Sequence, residues 1–165
     1  MSGPPLHPVR DTTALREVFG TVPAGVLAVC GLDGEPVGMA ASSFTSVSLD
    51  PPLVSVCVQR TSTTWPRLAG LPGLGLSVLG ARQGELSRRL AARVADRFAG
   101  VRWSTTDRGA VLVEDAAAWF ECTPHDELPA GDHRIVLLRV LATGIAADAE
   151  PLVFHGGTYR SLLPG

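Results

Sequence analysis

Small residues and hydroxyls fill residues 38–52, where a strand would normally carry large apolar side chains. The sequence there reads Gly-Met-Ala-Ala-Ser-Ser-Phe-Thr-Ser-Val-Ser-Leu-Asp-Pro-Pro. Small side chains let a ligand approach the backbone closely, and hydroxyls and main-chain N–H groups can donate hydrogen bonds to it. The segment therefore predicts a ligand-binding strand end, although a polar loop with capping serines has the same pattern.

A second group of hydroxyls, Ser62 and Thr64, precedes Trp65 and Pro66 at the predicted start of a short helix. The free N–H groups and the positive dipole end of a helix attract anions. The pattern predicts an anion site that needs no lysine, while ordinary helix capping explains a single hydroxyl here equally well.

The third candidate is His133, which follows Gly131 and Asp132 at the start of a long predicted strand. Taken alone, a histidine in a turn is usually a surface residue. The sequence has no GxSxG or HExxH motif, and the histidines at 7, 125, 133 and 155 lack metal-ligand spacing. No metal site is predicted.

The charged residues exclude several function classes. All 14 basic residues are arginines, so a Schiff-base lysine and a P-loop lysine are both impossible. Any phosphate must be held by arginine, hydroxyls or backbone N–H groups. A net charge of −2 and an aromatic content of 5% favour neither nucleic acid nor an anionic membrane surface as a partner.

The elements that must position these residues are mostly strands. Apolar segments predict strands over residues 25–30, 36–43, 53–58, 74–79, 117–122, 133–145 and 152–154. Short turns such as Asp33-Gly34 link several of them, which indicates a mainly β fold: an antiparallel barrel with appended α-helices. A doubly wound parallel sheet is disfavoured because helices do not alternate with strands and no GxGxxG follows a strand.

Three helices are predicted, over residues 12–20 after the capping residue Asp11, over 62–69 and over 82–98. In the last, an apolar residue recurs every four positions, at Leu86, Leu90, Val94 and Phe98. A different side of that helix would gather Arg82, Arg89, Arg93 and Arg97, as a solvated face or as an anion-facing edge. Cys30, Cys57 and Cys122 stand among apolar neighbours and are predicted to be buried free thiols.

Taken in order, several stretches resemble the flavin reductase-like family, the split-barrel flavin-binding proteins that include reductase components of two-component monooxygenases. The matching stretches are Pro-Ala-Gly-Val at 23–26, residues 38–53, Ser-Thr-Thr-Trp-Pro at 62–66, Leu-Ser-Val-Leu at 76–79, Asp-Arg-Phe-Ala-Gly-Val-Arg-Trp at 96–103, Ala-Trp-Phe-Glu-Cys at 118–122, Gly-Asp-His-Arg-Ile at 131–135 and residues 151–159. The resemblance implies an antiparallel split β-barrel of the FMN-binding, Greek-key type. Two departures stand out: Ala40 replaces a frequent threonine and Ser77 a frequent asparagine.

The resemblance also implies roles for individual residues. Flavin, as FMN or FAD, would contact Ala40, Ala41, Ser42, Ser43, Phe44, Thr45, Gln59 and Ser77. Ser62 and Thr64 would hold its phosphate, and Arg97 could add positive charge there. His133 would lie on the nicotinamide side of the pocket as the catalytic residue.

The implied activity is an NAD(P)H-dependent flavin reductase, in which hydride passes from nicotinamide C4 to flavin N5 and reduced flavin goes to a partner monooxygenase. Two alternatives stay open: a non-catalytic flavin-binding or electron-carrier protein, and an FMN-dependent reductase of ferric chelates or cobalamin. The Gly-Asp-His segment favours the reductase over the electron carrier.

The remaining expectations concern the whole chain. Residues 1–9 are predicted to form a flexible arm and residues 10–165 a single domain. The N-terminus lacks a signal-peptide pattern, so we expect a soluble, cytoplasmic protein. The family resemblance implies a homodimer.

Overall fold

The computed structural model describes residues 3–163. Residues 1 and 2 of the predicted arm, and residues 164 and 165 of the predicted domain, lie outside the described residues. The helices are Thr12–Gly20 (α1), Trp65–Leu68 (α2) and Gly84–Ala91 (α3). The strands are Ala24–Gly25 (β1), Leu27–Asp33 (β2), Glu35–Ala41 (β3), Thr45–Leu49 (β4), Pro52–Gln59 (β5), Leu74–Val78 (β6), Trp103–Thr105 (β7), Val111–Val113 (β8), Ala118–Ala130 (β9), His133–Ile145 (β10), Val153–His155 (β11) and Thr158–Arg160 (β12).

Seven strands form the main sheet, in the order β3-β2-β6-β9-β10-β5-β4, and every pairing in it is antiparallel. β2 and β3 form the hairpin that the Asp33-Gly34 turn predicts, with Gly34 at φ 70°. β5 pairs with β10 so that Gln59 stands opposite His133. This register brings two predicted site residues side by side.

β2 is buried on both faces, which explains why its sequence is continuously apolar. Leu27 and Val29 belong to one hydrophobic cluster, together with residues of β5, β6 and β10. Ala28 and Cys30 belong to a second cluster, against which α3 packs through Leu86 and Leu90. α3 therefore lies against β2 and β3, and the candidate site forms where the end of β3 meets the end of α3.

The predicted helix over residues 82–98 is wrong in its extent, because α3 ends at Ala91. Ala92 is extended, with φ −83° and ψ 159°, and the chain from there to Phe98 is irregular. Leu86, Leu90 and Phe98 are buried as the four-residue repeat predicts, but Val94 is 47% exposed. The four arginines therefore do not share one helix face.

β9 runs eight residues further than its predicted end at residue 122. Only its first five residues pair with β6, so the rest of β9 pairs with β10 alone. An edge strand tolerates proline, and this explains how Pro124 and Pro129 can lie within it. The strand prediction also missed β4, β7, β8 and β12.

The cysteine prediction is right for two residues and wrong for the third. Cys30 and Cys122 are fully buried, but Cys57 is exposed. On β5, Val56 and Val58 point into the core, and strand alternation places Cys57 on the opposite face.

Among residues 3–163, no helix combines the length and the apolar character needed to cross a membrane.

Candidate functional site

One cavity of about 400 Å³ gathers most of the residues that the sequence singles out. It lies where the end of β3, the end of β5, the loop before α2, the chain around the end of α3 and the first residue of β10 meet. The predicted site residues in its wall are Ala40, Ala41, Ser42, Ser43, Gln59, Ser62, Thr64, Arg97 and His133. Segments far apart in the sequence therefore contribute to a single site.

Ala40 and Ala41 form the part of the wall where β3 ends. They pair with Ala28 and Leu27 of β2, which fixes the position of this strand end. Because each side chain is a single methyl group, a flat ring system can approach the strand closely here.

The hydroxyl of Ser43 is engaged in hydrogen bonds within the fold. Its Oγ accepts a hydrogen bond from the backbone N–H of Cys57 at 2.8 Å and donates one to the Cys57 carbonyl at 3.3 Å. These two bonds tie the chain after β3 to β5, and they occupy the only O–H of Ser43. Ser42, beside it, is exposed.

At the predicted anion site, the helix itself offers less to an anion than the sequence predicts. α2 has only four residues, and Thr64 makes no side-chain capping hydrogen bond. Ser62 Oγ accepts instead from the Trp65 N–H at 3.1 Å. A helix of about one turn has a small dipole, so the capacity to bind an anion here depends on neighbouring cations.

Arg97 supplies such a cation at the end of the cavity beside Thr64. Its Nη1 donates to the Gly38 carbonyl at 2.9 Å and to Thr64 Oγ1 at 2.8 Å, and its Nε donates to the Ala92 carbonyl at 3.0 Å. Its Nη2 has no hydrogen-bond partner among residues 3–163, so two N–H groups remain for an anion. Arg93 lines the same cavity.

His133 lines the cavity from the start of β10, and Asp132 holds its ring. Nδ1 of His133 lies 2.7 Å from Asp132 Oδ1. This hydrogen bond lowers the pKa of the exposed Asp132 carboxyl, which favours the ionised carboxylate as the acceptor. A neutral ring that donates through Nδ1 keeps Nε2 as a hydrogen-bond acceptor.

Three predicted flavin contacts lie outside this cavity. Ser77 is fully buried in β6, where its Oγ accepts from the Val113 N–H at 3.0 Å. Phe44 packs on Phe120 with ring centroids 5.6 Å apart, and Thr45 begins β4 on the exposed side. None of the three lines this cavity, and their flavin contacts stay predictions.

The sequence reading missed several residues of the cavity wall: Met39, Cys57, Thr61, Thr63, Leu90, Ala91 and Arg93. Cys57 could have been found, because it lies two residues before Gln59 and strand alternation places both on one face. Arg93 was predicted to lie on a helix face, either solvated or as part of an anion-facing edge.

The comparisons with known proteins agree with the geometry. The family model described as "Flavin reductase like domain" matches residues 19–163. The chain belongs to this family. It is 42% identical over 136 residues to the stachydrine N-demethylase reductase subunit Stc3 of Rhizobium meliloti, covering 81% of this chain and 59% of that protein. It is 39% identical over 160 residues to an NADH-dependent FAD reductase of Streptomyces globisporus, covering 94% and 88%.

A solved structure supports the fold directly. The NADH:FAD oxidoreductase SgcE6 of Streptomyces globisporus C-1027, in complex with NAD and FAD fragments, superimposes with a TM-score of 0.89 at 41% identity, covering 93% of this chain and 94% of that one. The predicted mainly β, antiparallel split barrel with appended helices is thereby confirmed. The chain spans less than two thirds of some relatives, such as 44% of a probable flavin reductase of Rhizobium meliloti.

The residues of the cavity fit a flavin. Its small-residue wall suits a planar ring, and the amide of Gln59 and the hydroxyl of Ser42 can hydrogen-bond to ring or ribityl groups. Guanidinium and hydroxyl groups at the other end suit a phosphate. Within residues 3–163, no group of three or more His, Cys, Asp or Glu side chains is arranged to hold a metal ion.

Proposed function

We propose that the chain is an NAD(P)H-dependent flavin reductase that supplies reduced flavin to a partner monooxygenase. Its co-substrates are FMN or FAD and NADH or NADPH. The observation that supports this most strongly is the single cavity that joins the small-residue wall, the arginine-bearing phosphate end and His133.

The chain's own residues bind and orient the flavin and the nicotinamide, since hydride transfer between the two needs no strong acid or base. Bound flavin supplies the chemistry by taking up a hydride from the nicotinamide. Ala40 and Ala41 leave room for the ring beside β3, while Thr64 and Arg97 hold the phosphate end. Holding two rings at reacting distance is the main contribution a protein can make to such a transfer.

His133 has the role of placing the nicotinamide. Asp132 fixes the ring through Nδ1, and Nε2 then accepts a hydrogen bond from the carboxamide N–H of the nicotinamide. His133 would thereby orient a nicotinamide that binds at this part of the cavity.

The chain acts as a homodimer in this proposal, in the cytoplasm where nicotinamide nucleotides are abundant. Helix α1 has no buried residue, and Val18 and Phe19 on it are about two-thirds exposed. Apolar side chains on an unpacked helix are typical of a subunit contact. Sedimentation equilibrium should give twice the 17.2 kDa chain mass, and a monomer would contradict this part.

Replacing His133 by alanine tests the proposed site. We expect His133→Ala to lower kcat/KM for NADH by about 10- to 100-fold, because the nicotinamide loses its positioning contact. The Kd for FMN and FAD should change less than about threefold, because the phosphate end of the cavity is untouched.

The matched control is His155→Ala, because His155 lies on β11 and does not line the cavity. That variant should keep the wild-type kcat/KM and flavin Kd. Equal losses of flavin binding and reduction in His133→Ala, or no loss of either, would count against the role of His133.

A further inference from the structure

Glu127 on β9 contacts two residues, each of which is next in sequence to a residue of the candidate site. Its Oε1 accepts a hydrogen bond from the indole Nε1–H of Trp65 at 2.8 Å, and its Oε2 accepts one from Arg134 Nη1 at 2.9 Å. Trp65 follows Thr64 at the start of α2, and Arg134 follows His133 at the start of β10. Glu127 itself does not line the 400 Å³ cavity. Both of its contacts therefore lie one residue away from the cavity wall.

The register of the sheet explains how Glu127 reaches both partners. Glu127 stands opposite Val136 of β10, and Val136 is fully buried, so Glu127 lies on the core face of the sheet. Arg134, two residues before Val136, lies on the same face, whereas His133 lies on the other one. Trp65 is 2% exposed and belongs to the same hydrophobic cluster as Val136. The carboxylate of Glu127 therefore meets the indole and the guanidinium on the core side of the strands.

Through Trp65, Glu127 holds the loop before α2. Residues 61–64 of this loop all line the cavity. The backbone N–H of Trp65 donates to Ser62 Oγ at 3.1 Å, and the Thr64 hydroxyl accepts from Arg97 Nη1 at 2.8 Å. Fixing the indole of Trp65 thus fixes the backbone from which both hydroxyls extend. Because Trp65 is buried, water cannot replace the carboxylate as the acceptor of its indole N–H.

Through Arg134, Glu127 holds the start of β10. The side chain of Arg134 is 35% exposed, and Glu127 is its only acidic partner within residues 3–163. Its Nε is buried and has no hydrogen-bond partner in that part of the chain. A partly buried guanidinium without a counter-charge favours a position nearer to solvent. Loss of the Glu127 carboxylate would therefore displace the backbone that Arg134 shares with His133.

We propose that Glu127 is a positioning residue for flavin reduction, which acts on the loop at Thr64 through Trp65 and on His133 through Arg134. This inference rests on the proposed function, since it assumes that flavin and nicotinamide bind at the residues of this cavity. The two contacts have separable effects: the contact with Trp65 supports flavin binding, and the contact with Arg134 supports the use of NADH.

The variant Glu127→Gln separates the two contacts. Its amide oxygen can still accept from Trp65 Nε1, but its NH₂ group would then face the guanidinium of Arg134, and two donors form no hydrogen bond. We expect kcat/KM for NADH to fall about 3- to 10-fold, while the Kd for FMN or FAD changes less than about twofold. Equal changes in both quantities, or no change in either, would overturn the inference.

The variant Trp65→Phe tests the other contact, because it keeps an aromatic ring in the core and removes the donor to Glu127. The flavin Kd should rise about 3- to 10-fold, while kcat at saturating flavin stays within about twofold of wild type. In a Glu127→Leu background the same substitution should raise the Kd much less, because the hydrogen bond is already absent. An equal rise in both backgrounds, or an unchanged Kd in Trp65→Phe alone, would refute the proposed contact.

Glu121 provides the matched control on the same strand. It is partly buried, its Oε1 accepts from the Thr106 hydroxyl at 2.6 Å, and it does not line the 400 Å³ cavity. Glu121→Gln should keep the wild-type flavin Kd and kcat/KM for NADH. If it shows the same loss as Glu127→Gln, the effect belongs to β9 in general and not to Glu127. Urea denaturation checks that each variant is folded in the assay, so that lost stability alone cannot produce the split between the two constants.

The outcomes also separate this inference from the proposed function. A wild-type chain that binds no flavin, or that binds flavin without oxidising NADH, refutes the proposed function. If the wild-type chain reduces flavin and both Glu127→Gln and Trp65→Phe match it in both constants, only the role of Glu127 is refuted. Where Glu127→Leu does not fold, these two single variants decide.

Discussion

At the scale of single residues, the three cysteines have different environments that can be tested chemically. Burial raises the pKa of the Cys30 thiol to about 12, and burial assisted by the Glu121 carboxylate raises that of Cys122 to about 12. Cys57 is exposed and lines the 400 Å³ cavity that we propose holds the flavin. Of the three, only Cys57 is accessible to a modifying reagent in the folded chain.

Alkylation with iodoacetamide should therefore modify Cys57 alone between about pH 8 and pH 10, and all three cysteines only after unfolding. The pKa values of the buried thiols are raised, so their neutral forms persist in the folded state across this window and are lost only as pH approaches 12. Saturating FMN or FAD should slow the labelling of Cys57 by about tenfold or more. Peptide mass mapping gives both results.

Labelling of Cys30 or Cys122 in the folded chain would contradict the burial of these thiols. Labelling of Cys57 at an unchanged rate with saturating flavin would contradict the position of the flavin. The control is Cys57→Ser, which should take up no label below about pH 10 while folded.

At the scale of elements, alternation and turn residues made most of the fold predictable. β10 has the predicted bounds of residues 133–145, because its long apolar alternation is bounded by Gly131 and by a polar loop. The end of α3 was not predictable, because Leu86, Leu90 and Phe98 keep the helical repeat while the chain leaves the helix. Arg89 and Arg97 hold the chain after the helix through side-chain hydrogen bonds to backbone carbonyls, and periodicity cannot reveal these bonds.

The candidate site was likewise predictable only in part. Residues next to one another in a motif, such as Ala40 to Ser43, could be placed on one strand end. The use of the Ser43 hydroxyl by Cys57, and of the Ser77 hydroxyl by Val113, depends on pairings between distant segments. A short sequence pattern cannot predict such pairings.

Gly75 tests how closely β6 and β8 approach. A Cβ at this position would clash with the Val111 carbonyl, whose carbon would be 2.7 Å away. We expect Gly75→Ala to lower the free energy of unfolding by about 3 kcal/mol or more, because the backbone of β8 cannot move aside without breaking its pairing. Urea denaturation measures the change.

Gly25→Ala is the control for this variant. Gly25 lies in β1, and a Cβ there meets nothing within 4 Å. Its free energy of unfolding should stay within about 0.5 kcal/mol of the wild-type value. A similar small change in Gly75→Ala would show that β6 and β8 are not packed as described.

At the scale of the whole molecule, a chain with a net charge of −2 still places two arginines, Arg93 and Arg97, in the wall of one cavity. Arginine is the only basic residue type other than histidine, and several arginines form ion pairs at the surface, such as Arg67 with Asp33. Arg97 instead lines two adjoining cavities, of about 400 and 610 Å³, and its Nη2 has no hydrogen-bond partner within residues 3–163. Because the chain has no lysine, the cation at the point where both cavities meet is a guanidinium, which is planar and donates hydrogen bonds in fixed directions.

The most direct test of the central claim is a single-turnover experiment without oxygen. The chain is mixed with one equivalent of FAD and excess NADH, and the absorbance of oxidised flavin is followed by stopped flow. We expect complete loss of that absorbance. The rate should fall about two- to fivefold when NADH carries deuterium on C4, because the bond from C4 to the transferred hydrogen breaks in this step. Holding the two rings together is what accelerates the step. Flavin that binds but stays oxidised in the presence of NADH would contradict the account.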